Sequence, residues 1–472
     1  MLRAALASVA LCAWPARAWV FDAVVRAETQ AQAYQVRGPA GAPVLSMRRI
    51  TQTLSLHAVD RPSSARGVTY TARVRLRIDS DFGSACDPTT DRCLDELNQS
   101  RVAEFAPLFA RRSLDLPFAY VDATGVWRGR IDLRFGRQLV IDALGFLLFD
   151  GGRARLNLGS VLALEVYGGA ETRSGFPLSS GRYERDGITR LDRTGWDASL
   201  VPTVQDRAAA GVIGVAVETL GDGPLHTRAT WRRVVSGDGI AEEKAGLSAD
   251  LTLSERVRFF GDAVYSIPQR LLATLSVGGE WIGVRGHSVG IELARYRPTF
   301  DLTSIWASFW VDPTDDARVR GEVPLGRGWR VSGAVFGRRY ALSELAPSPN
   351  SAVLPDLYAV GASLGLSSPR VKNQGTFRVQ GEGGALGARA GADVMLRVWL
   401  RPRIRWDVGL SAWWVTDALR PERDVVSFGF VTGALVRLGR IADIGVNLED
   451  DVNRLVGHRM RAMAVLDLQV PF

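Results

Sequence analysis

The chain has 472 residues and a mass of 51.3 kDa, with 46% hydrophobic residues, 23% charged residues and a formal net charge of +8. This composition excludes a disordered chain, because there is ample apolar material to bury. It also excludes a protein of several membrane-spanning helices, because the apolar stretches fall well short of the roughly 18 residues that such a helix needs. All but two of the 58 basic residues are arginine, the exceptions being Lys244 and Lys372.

The first residues have the order of a secretory signal peptide. Arg3 supplies a positive start, residues 4–14 are apolar, and Ala16 to Ala18 give the small-x-small pattern that signal peptidase recognises. We therefore predict a signal peptide over residues 1–18. Although a basic chain invites a nucleic-acid partner, the predicted export of this one argues against it.

Two cysteines remain after the predicted cleavage, and they lie in one polar segment. Because an exported protein meets an oxidising compartment, we predict that Cys86 and Cys93 form a disulfide that pins a loop at about residues 80–113. Too few thiols or histidines surround them for a metal site, and the nearby carboxylates lack the spacing of a calcium loop. Apolar residues from Leu94 to Leu108 recur near helical spacing. A short helix there would either fold into the mouth of a pore or pack on its rim.

Three segments alternate apolar and polar residues with the period of two that indicates strands. They are residues 68–79, 127–135 and 403–412, and arginine fills many of their polar positions. In a membrane barrel an arginine on the lipid face costs roughly 2–4 kcal/mol near the midplane, so we expect the arginine face to point into the lumen. The residues predicted to line the lumen are Arg73, Arg75, Arg77, Asp79, Arg128, Arg130, Asp132, Arg134, Arg137, Arg397, Arg403, Arg405 and Asp407.

The C-terminal residues form another alternating segment, in which every second residue back from Phe472 is apolar. A terminal Phe on such a strand resembles the signal read by the barrel-assembly machinery of Gram-negative outer membranes. The residues that would carry this signal are Leu466, Leu468, Val470 and Phe472. Counting back from them, long and short connections alternate, as extracellular loops and periplasmic turns do. Aromatic residues predicted to lie on the apolar face near strand ends are Tyr120, Trp127, Trp281, Trp329 and Trp414.

These segments predict one all-β domain, a transmembrane antiparallel up-and-down β-barrel over residues 45–472. Residues 19–44 are predicted to be an N-terminal periplasmic segment or the first strand. The stretch from Glu171 to Arg207 is either a long loop or hides a strand. At roughly 10 membrane-spanning residues per strand, the chain accommodates 16 to 22 strands, and we predict about 18.

No catalytic residue, metal site or cofactor is predicted. His287 and Ser288 are the only adjacent base and nucleophile, but the sequence offers no third residue to orient them. A strand runs through residues 286–290, whereas a nucleophile elbow needs a strand followed by a helix. We therefore expect a protein that is not an enzyme.

The leader, the alternating strands, the aromatic strand ends and the terminal Phe together resemble a porin-type outer-membrane barrel. Residues 133–138 with residues 149–156 are also similar to a segment of alginate-export-type barrels. The resemblance implies a channel in the cell outer membrane, in contact with lipid and lipopolysaccharide. Because inward guanidinium rows raise the local concentration of anions, we expect small polar solutes to diffuse through it with a preference for anions. Two alternatives stay open, an exporter barrel for an anionic polysaccharide and a non-conducting barrel whose loops bind surfaces. Homo-oligomerisation also stays open.

Overall fold

The computed structural model describes residues 21–41, 43–60, 67–81, 84–85, 112–172, 210–221, 223–237, 239–297, 313–342, 355–369 and 373–471. The predicted signal peptide, the Cys86–Cys93 disulfide, the segment from Leu94 to Leu108 and Phe472 lie outside these residues. Most of the stretch from Glu171 to Arg207 lies outside them as well.

The described residues form 22 antiparallel strands. The first eleven are β1 (Phe21–Arg37), β2 (Pro43–Asp60), β3 (Thr69–Asp81), β4 (Arg112–Gly125), β5 (Ile131–Asp142), β6 (Gly145–Leu158), β7 (Leu162–Glu171), β8 (Gly211–Thr219), β9 (Leu225–Ser236), β10 (Gly239–Ser254) and β11 (Val257–Ser266). The other eleven are β12 (Leu271–Ile282), β13 (Ser288–Tyr296), β14 (Thr314–Gly326), β15 (Trp329–Tyr340), β16 (Leu357–Pro369), β17 (Asn373–Gly384), β18 (Gly387–Arg401), β19 (Ile404–Asp417), β20 (Val425–Arg437), β21 (Ala442–Asn453) and β22 (Gly457–Pro471). A two-residue piece, Ser84–Ala85, continues β3 beside β2.

Each strand pairs with the next along the chain, and β1 pairs with β22 to close the ring. The closing pair runs from Val24 opposite Pro471 to Arg37 opposite His458. The predicted all-β, up-and-down barrel is therefore confirmed. The expectation of about 18 strands is wrong, since the described part of the chain has 22, the upper limit of the predicted range. Residues 21–37 form β1, so the barrel begins before residue 45.

The two rims of the barrel differ in their connections. The lower rim holds the start of β1 and the end of β22, and its connections are eight residues or shorter. The opposite, upper rim holds every connection longer than ten residues, namely those after β3, β7, β13 and β15. This is the arrangement of bacterial barrels, whose short turns face the periplasm and whose long loops face outward.

The two faces of the sheet have opposite chemistry. One face carries large apolar side chains that stay exposed, and we call it the outer face. Its members include Leu54, Ile78, Val121, Phe135, Val217, Ile291, Leu293, Val335, Val360, Leu410 and Phe428. The other face is polar, and its side chains reach over intervening strands, as Arg228 of β9 does to Glu165 of β7. Side chains two strands apart converge in this way on the concave side, which makes the polar face the inner one.

Between β4 and β5 the chain makes a tight turn at the lower rim, Val126–Gly129, in which Trp127 and Arg128 have positive φ. A 3₁₀ turn, Pro421–Arg423, precedes β20. No helix among the described residues is long and apolar enough to cross a membrane.

Candidate channel lumen

The arginine row of β3 lies on the inner face. Arg73, Arg75 and Arg77 stand in register with His57, Ser55 and Thr53 of β2, while Leu76 and Ile78 are exposed on the outer face. Arg73 and Arg75 form no ion pair with a carboxylate of the described chain. Asp79 stands opposite Thr51 in the same ladder, but its side chain lies outside the described set.

Polar contacts on β4 and β5 surround another predicted residue, Arg134. Its Nε lies 2.6 Å from Oδ1 of Asp122, and its guanidinium stacks on the ring of Tyr120 at 4.1 Å. Tyr120 therefore belongs to the inner face, and its predicted place on the apolar face is wrong. Asp132 is also on the inner face. Its Oδ1 accepts a hydrogen bond of 2.9 Å from the backbone N–H of Gly125, which holds the turn between β4 and β5 against the start of β5.

Three predicted lumen residues lie in turns at the lower rim, so their expected strand positions are wrong. Arg128 and Arg130 belong to the turn before β5, where Gly125 and Gly129 adopt positive φ and break the alternation. Arg403 lies in the two-residue connection between β18 and β19, and its carbonyl accepts a hydrogen bond from the Arg437 N–H.

Arg137 also departs from its predicted place. It lies three residues after Arg134, and an odd spacing in a strand changes the face. Arg137 consequently shares the face of Phe135, where its Nε and Nη2 each lie 2.7 Å from the Asp150 carboxylate.

The remaining predicted residues form one group on the inner face of β18 and β19. Asp407 accepts hydrogen bonds from Arg397 at 3.0 Å and from Arg405 at 3.1 Å. Arg405 also lies 5.9 Å from the ring of Trp399. One carboxylate thus neutralises part of the charge of two arginines.

Pairing of this kind is general on the inner face. Glu165 is buried and bridges Arg153 at 2.5 Å and Arg228 at 2.7 Å, while Glu218 joins Arg228 to Arg155. The chain of alternating charges crosses four strands, from β6 to β9. Most inward arginines are therefore compensated, and the field in the lumen is weaker than a count of arginines suggests.

A recess of about 480 Å³ on the inner wall of β12–β18 departs from this pairing of arginines with carboxylates. Its floor is made of small residues, such as Ala334, Ser363 and Gly365. Five arginines line it against three glutamates, and these are Arg318, Arg320, Arg338, Arg378, Arg389, Glu280, Glu322 and Glu382. Each glutamate has an arginine partner, whereas Arg318 and Arg378 form no ion pair with a described carboxylate. The recess therefore carries a local excess of positive charge.

The upper part of the β5–β6 hairpin lies inside the barrel. Leu144, at its turn, packs against Val264 of β11 and Ala273 of β12. Arg232 of β9 donates a hydrogen bond of 3.0 Å from Nη2 to the carbonyl of Leu144. The hairpin therefore extends over the inner face of several strands and occupies part of the lumen.

Sequence reasoning missed both of these features. The alternation of Arg318 and Arg320 indicates one side of the recess. The residues on its other sides come from strands as far along the chain as Arg389, about 70 positions away, so no local pattern brings them together. The hairpin turn lies in the interval, residues 139–148, between the two segments that resemble alginate-export-type barrels. One feature of the sequence could have indicated the hairpin. The connection Ala143–Leu144 is short and apolar and lies between two apolar segments, whereas a solvent-exposed loop is polar.

The outer face carries aromatic residues near its rims. Trp281, Trp329 and Trp406 are exposed near the lower rim, and Trp414 is exposed near the upper rim. Trp127 is exposed in the turn below β4. Leu466, Leu468 and Val470 of the predicted assembly signal point outward from β22, since they alternate with Asp467, which faces Arg26.

His287 and Ser288 lie at the lower rim, where the His287 ring packs on Trp281 with centroids 5.0 Å apart. Among the residues that the structure covers, no three His, Cys, Asp or Glu side chains come close enough to hold a metal ion.

No protein-family model and no curated protein matches the chain. Solved structures align with the chain over most of its length, with TM-scores under 0.5. OccAB1 of Acinetobacter baumannii has 8% identity and a TM-score of 0.45, covering 96% of this chain and 97% of that one. A BenF-like porin of Pseudomonas fluorescens Pf-5 has 8% identity and a TM-score of 0.45, covering 96% and 99%. OccK1 (OpdK) of Pseudomonas aeruginosa has 10% identity and a TM-score of 0.42, covering 95% and 99%. Because these TM-scores lie below 0.5, evidence for the function comes from the residues of the chain itself.

Proposed function

We propose that this protein is a porin-like channel of the outer membrane, through which small polar solutes diffuse passively. The observation that carries the proposal is a closed ring of 22 strands with an apolar outer face and a polar inner face. A chain with this arrangement buries its outer face in lipid and leaves its inner face to water.

The width of the ring supports a water-filled interior. Twenty-two strands spaced about 4.8 Å apart and tilted by about 40° enclose a circle with a backbone diameter on the order of 40 Å. Barrels of about eight strands are filled by side chains, whereas 16 to 18 strands already leave an aqueous channel. The inward hairpin narrows this space.

The placement in the outer membrane follows from the two rims and the outer face. Short turns and both ends of the described chain lie at the lower rim, which we assign to the periplasm. The assembly machinery would read the outward side chains of β22, and lipid and lipopolysaccharide would surround the apolar face.

We further propose a preference for anions. Most inner arginines of the described chain are paired, so the preference depends on guanidiniums without a carboxylate partner among the described residues, such as Arg73 and Arg75 on one wall and Arg318 and Arg378 in the recess. Fixed positive charge in a lumen raises the local concentration of anions and lowers their barrier to entry.

Solute flux into liposomes tests this proposal. The protein, refolded into vesicles, should admit glucose and gluconate at rates above those of empty vesicles, with gluconate favoured over a cationic solute of similar size. Vesicles that contain folded protein but remain impermeable to all three solutes would contradict the channel. That result would leave the exporter of an acidic polysaccharide or the surface-binding barrel.

A further inference from the structure

The β5–β6 hairpin extends beyond the strands on either side of it. Pairing of β4 with β5 runs only from Ala119 opposite Arg137 to Ala123 opposite Leu133. Pairing of β6 with β7 ends at Phe149 opposite Glu171. Residues 138–147, which we call the hairpin tip, pair with each other and have no further neighbouring strand among the described residues.

Two glycines that face each other mark the base of the hairpin tip. Gly136 of β5 stands opposite Gly151 of β6. Gly136 has a φ of +122°, and a Cβ there would lie 2.2 Å from the Ala119 carbonyl oxygen. A Cβ on Gly151 would lie 2.1 Å from the carbonyl oxygen of Gly168. Only glycine fits at either position, and the wider range of backbone angles open to glycine allows the two strands to bend there, so that the tip enters the lumen.

The hairpin tip is held on the inner wall by two apolar clusters and one hydrogen bond. Leu144 packs with Val264 and Ala273, and Arg232 donates to its carbonyl. Nearer the base, the tip and the wall share a second cluster of Val140, Leu147, Phe149, Tyr167, Ala210, Val212, Val234 and Ala241. These contacts define a docked position.

The docked position also buries polar atoms without partners. Ten buried side-chain polar atoms of the described chain have no hydrogen bond. Five of them belong to the tip or to the wall beneath it, and these are Gln138 Oε1, Asp142 Oδ2, Tyr167 Oη, Thr230 Oγ1 and Arg232 Nη1. Each atom is costly to keep buried and unpaired, and each would regain water if the tip left the wall. The free energy gained by burying apolar side chains on docking is thus reduced by the cost of these unpaired polar atoms.

An unpaired strand edge is available to the undocked tip. Residues 112–118 of β4 pair with β3 on one side, but in the described chain they have no partner on the side of β5. If the tip straightened at Gly136 and Gly151, residues 138–142 would continue β5 along this edge of β4. The hairpin would then join the wall and leave the lumen.

We propose that the hairpin tip is a gate with two positions, docked across the inner wall of β9–β12 and straightened into the barrel wall. The docked position gives a narrow channel, and the straightened position gives a wide one. This proposal rests on the proposed channel function.

A cross-link across the docked contact tests the gate. An ideal Cβ on Gly246 of β10 would lie 3.4 Å from Cβ of Ala143, close to the 3.5–4.5 Å that separates these atoms in a disulfide. The double variant Ala143→Cys/Gly246→Cys should therefore oxidise, and its single-channel records should lose the wide conductance level. Reduction should restore that level, and the wild type treated with the same reductant corrects for Cys86 and Cys93.

The matched control is Ala434→Cys/Val446→Cys, a pair in register between β20 and β21 on the outer face, away from both the tip and the recess. Its cross-link should leave both conductance levels in place. The variant Gly246→Val provides a second test. Any Cβ at this position lies 2.6 Å from Leu144 Cδ2, and the flexible end of Leu144 can move aside for a cysteine, whereas the two methyl groups of valine enlarge the overlap and oppose docking. This variant should make the wide level the more frequent one.

An oxidised Ala143→Cys/Gly246→Cys barrel with unchanged conductance levels would overturn the gate and leave the channel standing. Failure of this pair to cross-link in a folded barrel would overturn the docked position itself. Absence of conductance in every variant, including the wild type, would instead contradict the proposed channel.

Discussion

Arg26 on the first strand and Asp467 on the last strand form a two-pronged ion pair across the seam that closes the barrel. Nε and Nη2 of Arg26 lie 2.8 Å and 2.5 Å from the two carboxylate oxygens of Asp467. The partners are 441 residues apart in the chain, so this contact forms only when both ends of the sheet meet. It fixes the register in which β1 joins β22.

We predict that Asp467→Asn slows folding into detergent micelles or vesicles more than it shifts the unfolding midpoint. The pairing of β1 with β22 brings together the residues farthest apart in the sequence, and contacts of this kind cost the most chain entropy to form. The rate at which the heat-modifiable folded band appears on a gel measures the effect.

The matched control is Asp250→Asn, which breaks a two-pronged pair with Arg258 inside the single hairpin β10–β11. That contact is local, so its loss should leave the folding rate almost unchanged. Equal slowing by both variants would contradict a special role for the seam pair.

Neighbouring residues on β15 test which face of the sheet contacts lipid and which faces the lumen. Val335 is 64% exposed on the outer face near the middle of the strand, and its neighbour Ala334 lies on the inner face. Val335→Arg places a charge in lipid and should destabilise the barrel by about 2–4 kcal/mol. Ala334→Arg should be tolerated, because its side chain enters the lumen. Urea unfolding of both variants in vesicles measures the difference, and a greater loss for Ala334→Arg would mean that the faces are reversed.

Glu165 is the most buried carboxylate of the inner charge network, with 2% of its side chain exposed. Replacing it by Gln leaves Arg153 and Arg228 without the charge that bridges them, and we expect a loss of about 3 kcal/mol in the free energy of unfolding. Glu322→Gln, which breaks a more exposed pair with Arg330, should change the midpoint little. Similar effects of the two substitutions would show that burial does not determine how much these ion pairs contribute to the free energy of unfolding.

The recess predicts which arginines set ion selectivity. Arg318→Gln/Arg378→Gln removes two guanidiniums without ion-pair partners and should move the reversal potential in a salt gradient toward the cation side. Glu280→Gln at the same recess should move it toward the anion side, because Glu280 partly compensates Arg320 at 3.8 Å. A reversal potential that neither substitution moves would contradict the selectivity assigned to this wall.

Alternation along single strands could be predicted from the sequence, because one strand turns its own neighbours to opposite faces. It places Arg73, Arg75 and Arg134 on one side and Leu76 and Ile78 on the other. The same rule separates Arg137 from Arg134, and applying it strictly would have corrected that prediction. Strand ends were harder to predict, since the alternation around Arg128 and Arg130 continues through a tight turn made by Gly125 and Gly129.

The hairpin tip shows what alternation cannot reveal. Its position depends on contacts between Leu144 and Arg232 or Val264, which lie far away in the sequence. No local pattern encodes that pairing. The predicted strand count is too low for a related reason. Chain length limits the count only to a range, and residues 21–37 become the first strand by pairing with residues 457–471 at the far end of the chain.

Single-channel conductance of the refolded protein in a planar bilayer, with the reversal potential in a salt gradient, tests the central claim most directly. The barrel described here predicts discrete, stable openings with a reversal potential on the anion side. A folded, heat-modifiable barrel that inserts and carries no current would contradict the claim that its lumen is a continuous water-filled channel.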